Sequence, residues 1–158
     1  HGESGNDLPV MYSSAKAERV SGGYRFYGHK IFGSLTPVWT WFGLHAMDTS
    51  DPQSPKVVHA FMPRDTNGYR IAETWDVLGM RATRSDDTIL EGAFVPDKYI
   101  VRVLPVNWVG ADLFVLNIFA WALLNFANIY AGCAQRAFDL TVKSATKKTA
   151  EKFVKALP

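Results

Sequence analysis

The sequence is short of the residues that brace or catalyse on their own. One cysteine, Cys133, stands among 158 residues. No internal disulfide framework is therefore available, and a reducing, cytoplasmic setting is expected. The four histidines, His1, His29, His45 and His59, are scattered rather than set at metal-ligand spacing, so no metal site is predicted. Neither a G-x-S-x-G elbow nor a G-x-x-x-x-G-K-[ST] loop occurs. Gly2-Glu3-Ser4-Gly5 is not the nucleophile pattern, because no strand precedes it. Charge of one sign is also missing: 17 basic and 15 acidic side chains leave a net +2. That is too little for a nucleic-acid footprint, and the run Lys143, Lys147, Lys148, Lys152, Lys155 reads as a solvated helix face. No basic, apolar and small-residue signal follows His1, so the native N-terminus is expected to be processed or to lie upstream.

Hydrophobic residues make up 47% and aromatics 13%, enough for a compact core. From Gly22 to about Leu104 the chain alternates aromatic and β-branched segments with Gly, Pro, Asn and Asp clusters. Strands are predicted over Tyr24–Tyr27, Trp39–Met47, Val57–Met62, Tyr69–Ile71 and Thr88–Val95. A tight turn at Gly28-His29 is expected to lead into Lys30-Ile31-Phe32. Asp51-Pro52 and Ser54-Pro55 mark a loop. Short strands at this spacing predict an antiparallel sheet closed or sandwiched on itself.

Proline is then absent from position 106 to position 157. Asp112 can cap a helix running to about Thr149. Its first half is apolar all round, so burial on nearly all sides is expected, by helices outside this sequence. The run Leu113–Ala134 approaches transmembrane length, but with Asn117, Asn125 and Asn128 and no cationic anchor at its start it reads as a core helix, not a membrane span. The predicted class is α+β, with a β-domain over 1–104 and the first helix of an incomplete helical domain over 105–158.

Three motifs bear on chemistry. Gly2 to Asp7 is a polar, Gly-containing loop whose amides suit a phosphate or a heterocycle edge. Gly23 to Ser34 carries an aromatic, Phe32, and a hydroxyl, Ser34, two residues apart. In a strand that spacing sets both on one face, suited to a planar cofactor. The third is Trp75 to Thr83, followed by Thr88 to Pro96.

In this order the motifs resemble the acyl-CoA dehydrogenase family, with its G-S-D loop and its G-Y-x-[apolar]-N-G-x-K hairpin. The family then carries a D-T-x-G turn, an L-G-x-R-[A/G]-[S/T] motif and a strand ending F-x-V-P. Here these are Gly5-Asn6-Asp7, Gly23 to Ser34, Asp65 to Gly68, Leu78 to Thr83 and Phe94-Val95-Pro96. The helix signature G-x-A-x-R-A-x-D is Gly132 to Asp139. The resemblance implies a central β-domain between helical domains, bound FAD, a homotetramer, and α,β-dehydrogenation of an acyl-CoA in fatty acid metabolism. It implies that Phe32 packs on the flavin, that Ser34 bonds its reactive edge, and that Asn6 stands near the pyrophosphate in place of the usual Ser. Arg81 and Arg136 are read as structural, Arg136 through a carboxylate partner.

The sequence also departs from the family. His1 occupies the position of a Glu ahead of the G-S-D loop. Leu123 stands where many members carry an Arg near the acyl-CoA site. The catalytic base is expected outside this sequence, so none is assigned here. A flavin-dependent monooxygenase of the same fold, and a non-catalytic module that oligomerises through its helix, are the alternatives.

Overall fold

The computed structural model describes residues 12–106 and 112–156, with side chains as far as residue 147. Two compact units are present, His1–Val115 and Leu116–Pro158. The first is built on seven strands: β1 (Lys16–Val20), β2 (Gly23–Lys30), β3 (Trp41–Asp48), β4 (Lys56–Pro63), β5 (Tyr69–Ala72), β6 (Asp87–Pro96) and β7 (Ile100–Pro105). They pair in the order β5-β6-β2-β1-β3-β4-β7.

All neighbours are antiparallel except β1 and β3, which run parallel through Lys16 and Met47. The sheet is thus mixed, where the sequence predicts an antiparallel one. The reason is β1, which slots between β2 and β3. It escapes the sequence reading because Ala17 is the one fully buried side chain in Lys-Ala-Glu-Arg-Val. Three strands separate β4 from β6 in the ladder, about 19 Å on a flat sheet at 4.8 Å per step. Yet their Cα atoms come within 8 Å, so the sheet folds over on itself. The core lies inside that fold: Tyr24 and Phe26 of β2 and Ala93 and Val95 of β6 join Phe42 and Leu44 of β3 and Val58 and Met62 of β4.

No turn occurs at Gly28-His29. β2 runs straight through, paired to β6 as far as Lys30 and Thr88. Gly28 takes φ 142°, and a Cβ there would stand 2.7 Å from that of Ala15. The glycine therefore serves the close passage of the neighbouring chain rather than a reversal. A bulge precedes it at Phe26/Tyr27, opposite Gly92 at φ 91°.

Helix α1 (Leu113–Ala156) begins where Asp112 caps it: Asp112 Oδ1 accepts from the Phe114 and Val115 amides at 2.9 and 3.3 Å. It runs to Ala156, past the predicted end at Thr149. Its apolar side chains, Trp121, Leu123, Leu124, Phe126 and Tyr130 among them, are exposed within the chain itself, and the burial expected from the sequence is by helices outside it. Among the described residues α1 is the one α-helix. A ring of apolar side chains around a helix is covered only by further elements on several sides. The stretch Leu113–Lys147 is long and apolar enough to cross a membrane by length and composition alone. Asn125 and Asn128 turn their side-chain amides onto the Trp121 and Leu124 carbonyls, each at 2.7 Å, satisfying donors along the helix itself.

Candidate functional site

Two segments 50 residues apart in sequence are zipped together at one end of the folded sheet. The Gly33 amide donates to the Asp86 carbonyl at 3.1 Å, Leu35 to Thr83 at 2.7 Å and Thr36 to Arg84 at 3.1 Å. The Thr36 hydroxyl sits between the Gly33 and Arg84 carbonyls, at 2.6 and 2.7 Å. These are the hairpin end and the L-G-x-R region that the sequence singles out, joined by the fold.

Strain concentrates in the same pair of segments. Among the described residues the non-glycine positions with positive φ are Phe32 (57°), Leu35 (64°), Met80 (54°) and Arg84 (40°). A left-handed bulky residue costs of order 1–3 kcal/mol and persists where its surroundings over-determine it. Both segments of the zipper supply that constraint, and residues held in this way concentrate at functional sites in proteins generally.

Phe32 is not in a strand, so the predicted same-face arrangement with Ser34 fails as stated. The left-handed turn brings the two together instead: the Ser34 amide donates to the Phe32 carbonyl at 2.8 Å, and both side chains line one cavity of about 190 Å³. Trp39, Trp41 and Gly43 form its other wall. The Phe32 ring is 56% exposed and rests edge-on against Trp75, with centroids 6.2 Å apart. Trp75 is in turn anchored. Its amide donates to Asp86 Oδ1 at 3.0 Å and its indole N–H to the Met80 carbonyl at 3.1 Å. Asp86 is buried, and its other oxygen accepts from Arg84 at 3.3 Å.

The Ser34 hydroxyl lies 2.8 Å from that of Ser85, which lies 2.8 Å from that of Thr83. Ser85, Trp75 and Asp86 are participants the sequence reading does not assign. Thr83 lies inside the L-G-x-R motif, whereas Ser85 lies beyond it, past the left-handed Arg84, where no local pattern points to it. Trp41 also borders a second cavity of about 430 Å³, with Phe61, Lys98, Tyr99 and Val101. Arg81 donates to the Val77 carbonyl at 2.8 Å and closes its own turn. Arg136 makes no ion pair among the described residues, and Asn6 lies outside them. No group of three or more His, Cys, Asp or Glu side chains among the described residues could hold a metal.

An exposed ring set edge-on against Trp75, next to a hydroxyl lining the same cavity, suits a planar heterocycle carrying a polar edge. The residues present therefore fit a flavin ring.

No protein-family model matches the chain. Curated relatives do. A pigment production hydroxylase of Rhodococcus erythropolis is 39% identical over 86 residues, 52% of this chain and 22% of that protein. The L-evernosamine nitrososynthase of a Micromonospora species is 30% identical over 86% of this chain and 32% of its own length. A putative acyl-CoA dehydrogenase of Bacillus subtilis is 28% identical over 83% of this chain and 32% of its length. The chain thus spans a third or less of these relatives.

Two solved structures agree. KijD3 in complex with FMN and a dTDP-amino sugar superposes with a TM-score of 0.51 at 30% identity, over 64% of this chain and 25% of that one. TdsC from a Paenibacillus species, with FMN and indole, gives 0.51 at 27% identity over 58% of this chain and 23% of its own. The chain is therefore related to the flavin-dependent oxidoreductases of the acyl-CoA dehydrogenase fold, and its homologues include acyl-CoA dehydrogenases, nitrososynthases and monooxygenases.

Proposed function

We propose that the intact protein is a flavin-dependent monooxygenase. The observation that carries the flavin reading is the Phe32 turn, which holds an exposed ring and the Ser34 hydroxyl side by side on a braced, strained support. Phe32 stacks on or against the ring system, Ser34 bonds its edge, and Asn6 is the candidate for contacting the phosphates. The cofactor is FMN or FAD. When bound it supplies two electrons to dioxygen, so that one oxygen atom enters the substrate and the other leaves as water. The chain's own part is to bind and orient that ring and, through Phe32, Trp41 and Trp39, to keep water from it.

Oxygenation is favoured over dehydrogenation by two points. The relatives at 39% and 30% identity are a hydroxylase and a nitrososynthase. Leu123 also leaves no cation at a position where many acyl-CoA dehydrogenases carry one. The substrate is a small molecule, with an aromatic ring or an amino sugar as the two classes that TdsC and KijD3 suggest. The intact protein is a cytoplasmic homo-oligomer with its β-domain over 1–104 and its helical domain starting at 105.

A second reading, FAD-dependent dehydrogenation of an acyl-CoA thioester, is supported by the Bacillus subtilis relative. One experiment separates them. The intact protein is given flavin reduced by a separate reductase, and oxygen uptake is followed with indole as a trial substrate. The flavin-loaded protein is then titrated anaerobically with acyl-CoAs of several chain lengths. Substrate-dependent oxygenation supports the monooxygenase. Bleaching of the flavin by an acyl-CoA, without oxygenation, supports the dehydrogenase instead.

A further inference from the structure

The segment from Thr36 to Thr40, which joins the Phe32 turn to β3, is gripped by one cation. Arg64 follows the last residue of β4 and reaches this segment in three ways. Its amide donates to the Thr40 carbonyl at 3.0 Å. Its Nη1, which carries two protons, donates to the Thr36 carbonyl and lies 3.5 Å from the Trp39 carbonyl. Its guanidinium stands over the Trp39 ring, 4.4 Å from the centroid. Arg64 makes no ion pair among the described residues, so its charge is directed at these carbonyls and at the indole. Tyr69 braces both partners. Its hydroxyl donates to the Arg64 carbonyl at 2.7 Å, and its ring stands 5.9 Å from that of Trp39.

The part so gripped is a wall of the cavity, which Trp39 lines together with Phe32 and Ser34. Two separable ties hold it. The Thr36 amide and hydroxyl both donate to the Arg84 carbonyl across the zipper, while the Thr36 carbonyl accepts from Arg64. We infer that Arg64 is a positioning residue that sets Trp39 in the cavity wall, so that a bound flavin ring meets a fixed surface there. The inference rests on the flavin reading above. Removing the guanidinium leaves the zipper bonds, the bond from the residue 64 amide to Thr40, and the Phe42 ring 5.3 Å from Trp39. The fold should therefore persist while Trp39 loses the cation over its ring. A lysine restores charge over the indole but not the planar fork that also reaches the carbonyls.

The test is titration of the intact protein with FMN and then FAD, followed by flavin fluorescence, beside urea unfolding without flavin. Arg64→Gln should weaken flavin binding about fivefold, one cation–π contact's worth, with the unfolding midpoint little changed. Arg64→Lys should fall between the parent and the glutamine variant. The decisive arm is a double-mutant cycle with Trp39→Leu. In that background Arg64→Gln should leave flavin affinity where it was, because the residue through which it acts is gone.

Flavin affinity unmoved by Arg64→Gln, or lowered as much in the Trp39→Leu background as in the parent, overturns the inference and leaves Arg64 a structural role alone. A parent protein that binds neither FMN nor FAD overturns the flavin reading itself, and the inference with it.

Discussion

The Gly33 amide and the Asp86 carbonyl meet at 3.1 Å, and a Cβ on residue 33 would stand 2.8 Å from that same carbonyl oxygen. The contact is backbone to backbone, so no side chain can swing aside. It sits between the left-handed Phe32 and the buried Asp86, which makes it the hinge pin of the zipper. Gly33→Ala is therefore expected to push the two segments apart. Stability should fall by about 1–3 kcal/mol, the usual cost of forcing a methyl into a packed site. Flavin affinity should fall with it. Chemical denaturation and flavin titration check the pair of effects, and a variant as stable as the parent would show that the segments separate freely.

Phe32 sets stability against function. At φ 57° a bulky residue is strained, and glycine relieves that strain while losing the edge contact with Trp75 and adding backbone entropy to the unfolded chain. These contributions are each of order 1 kcal/mol and oppose one another. Phe32→Gly should thus leave the unfolding midpoint almost unchanged and weaken flavin binding at least tenfold. A calorimetric scan and a fluorescence titration separate the two. Retained affinity in the glycine variant would remove Phe32 from the cofactor site.

How much of this was legible depends on the element. β3 announces itself as an aromatic, mostly apolar run that is buried from Leu44 to Asp48, and β6 as a β-branched and apolar run with Leu90, Ala93 and Val95 inward around the bulge. The Asp112 cap was legible because capping is local chemistry. β1 and β7 were not: one buries little beyond Ala17, and the other is an edge strand with no buried side chain. The passage of β2 through Gly28 was hidden because its cause, Ala15, meets Gly28 only once β1 pairs with β2. Phe32 and Ser34 were singled out by resemblance, but their geometry depends on four left-handed residues whose types do not signal it. Ser85 reaches Ser34 over 51 residues, a contact that only the folded zipper creates.

Arg19 and Asp97 tie β1 to the short turn that follows β6, with Arg19 Nη2 3.1 Å from Asp97 Oδ2. The hydrogen bond from Arg19 holds the Asp97 carboxyl below its ordinary value of 3.8. A carboxyl depressed in the folded state adds stability above its unfolded pKa and loses it as pH falls through the folded value. The gap in unfolding midpoint between the parent and Asp97→Asn should therefore be constant above about pH 4 and close below it. Both groups are exposed, so the gap should also shrink in high salt. A gap that persists undiminished at pH 2 would rule out the ion pair as its source.

Asp112 has two tasks whose weights differ. Its Oδ1 caps the Phe114 and Val115 amides, and its Oδ2 lies 3.3 Å from Arg102 Nε, which is about half exposed. A solvent-facing ion pair contributes at most about 1 kcal/mol and often nothing measurable. Removing a cap costs about 1 kcal/mol with more certainty, because two amides lose their acceptor. Asparagine keeps the capping oxygen and discards the charge; alanine discards both. Asp112→Asn should then unfold close to the parent, and Asp112→Ala about 1 kcal/mol earlier. Arg102→Ala should resemble the asparagine variant, since it removes the same pair and leaves the cap. If Asp112→Asn and Arg102→Ala instead fall as far as Asp112→Ala, the ion pair rather than the cap fixes the start of α1.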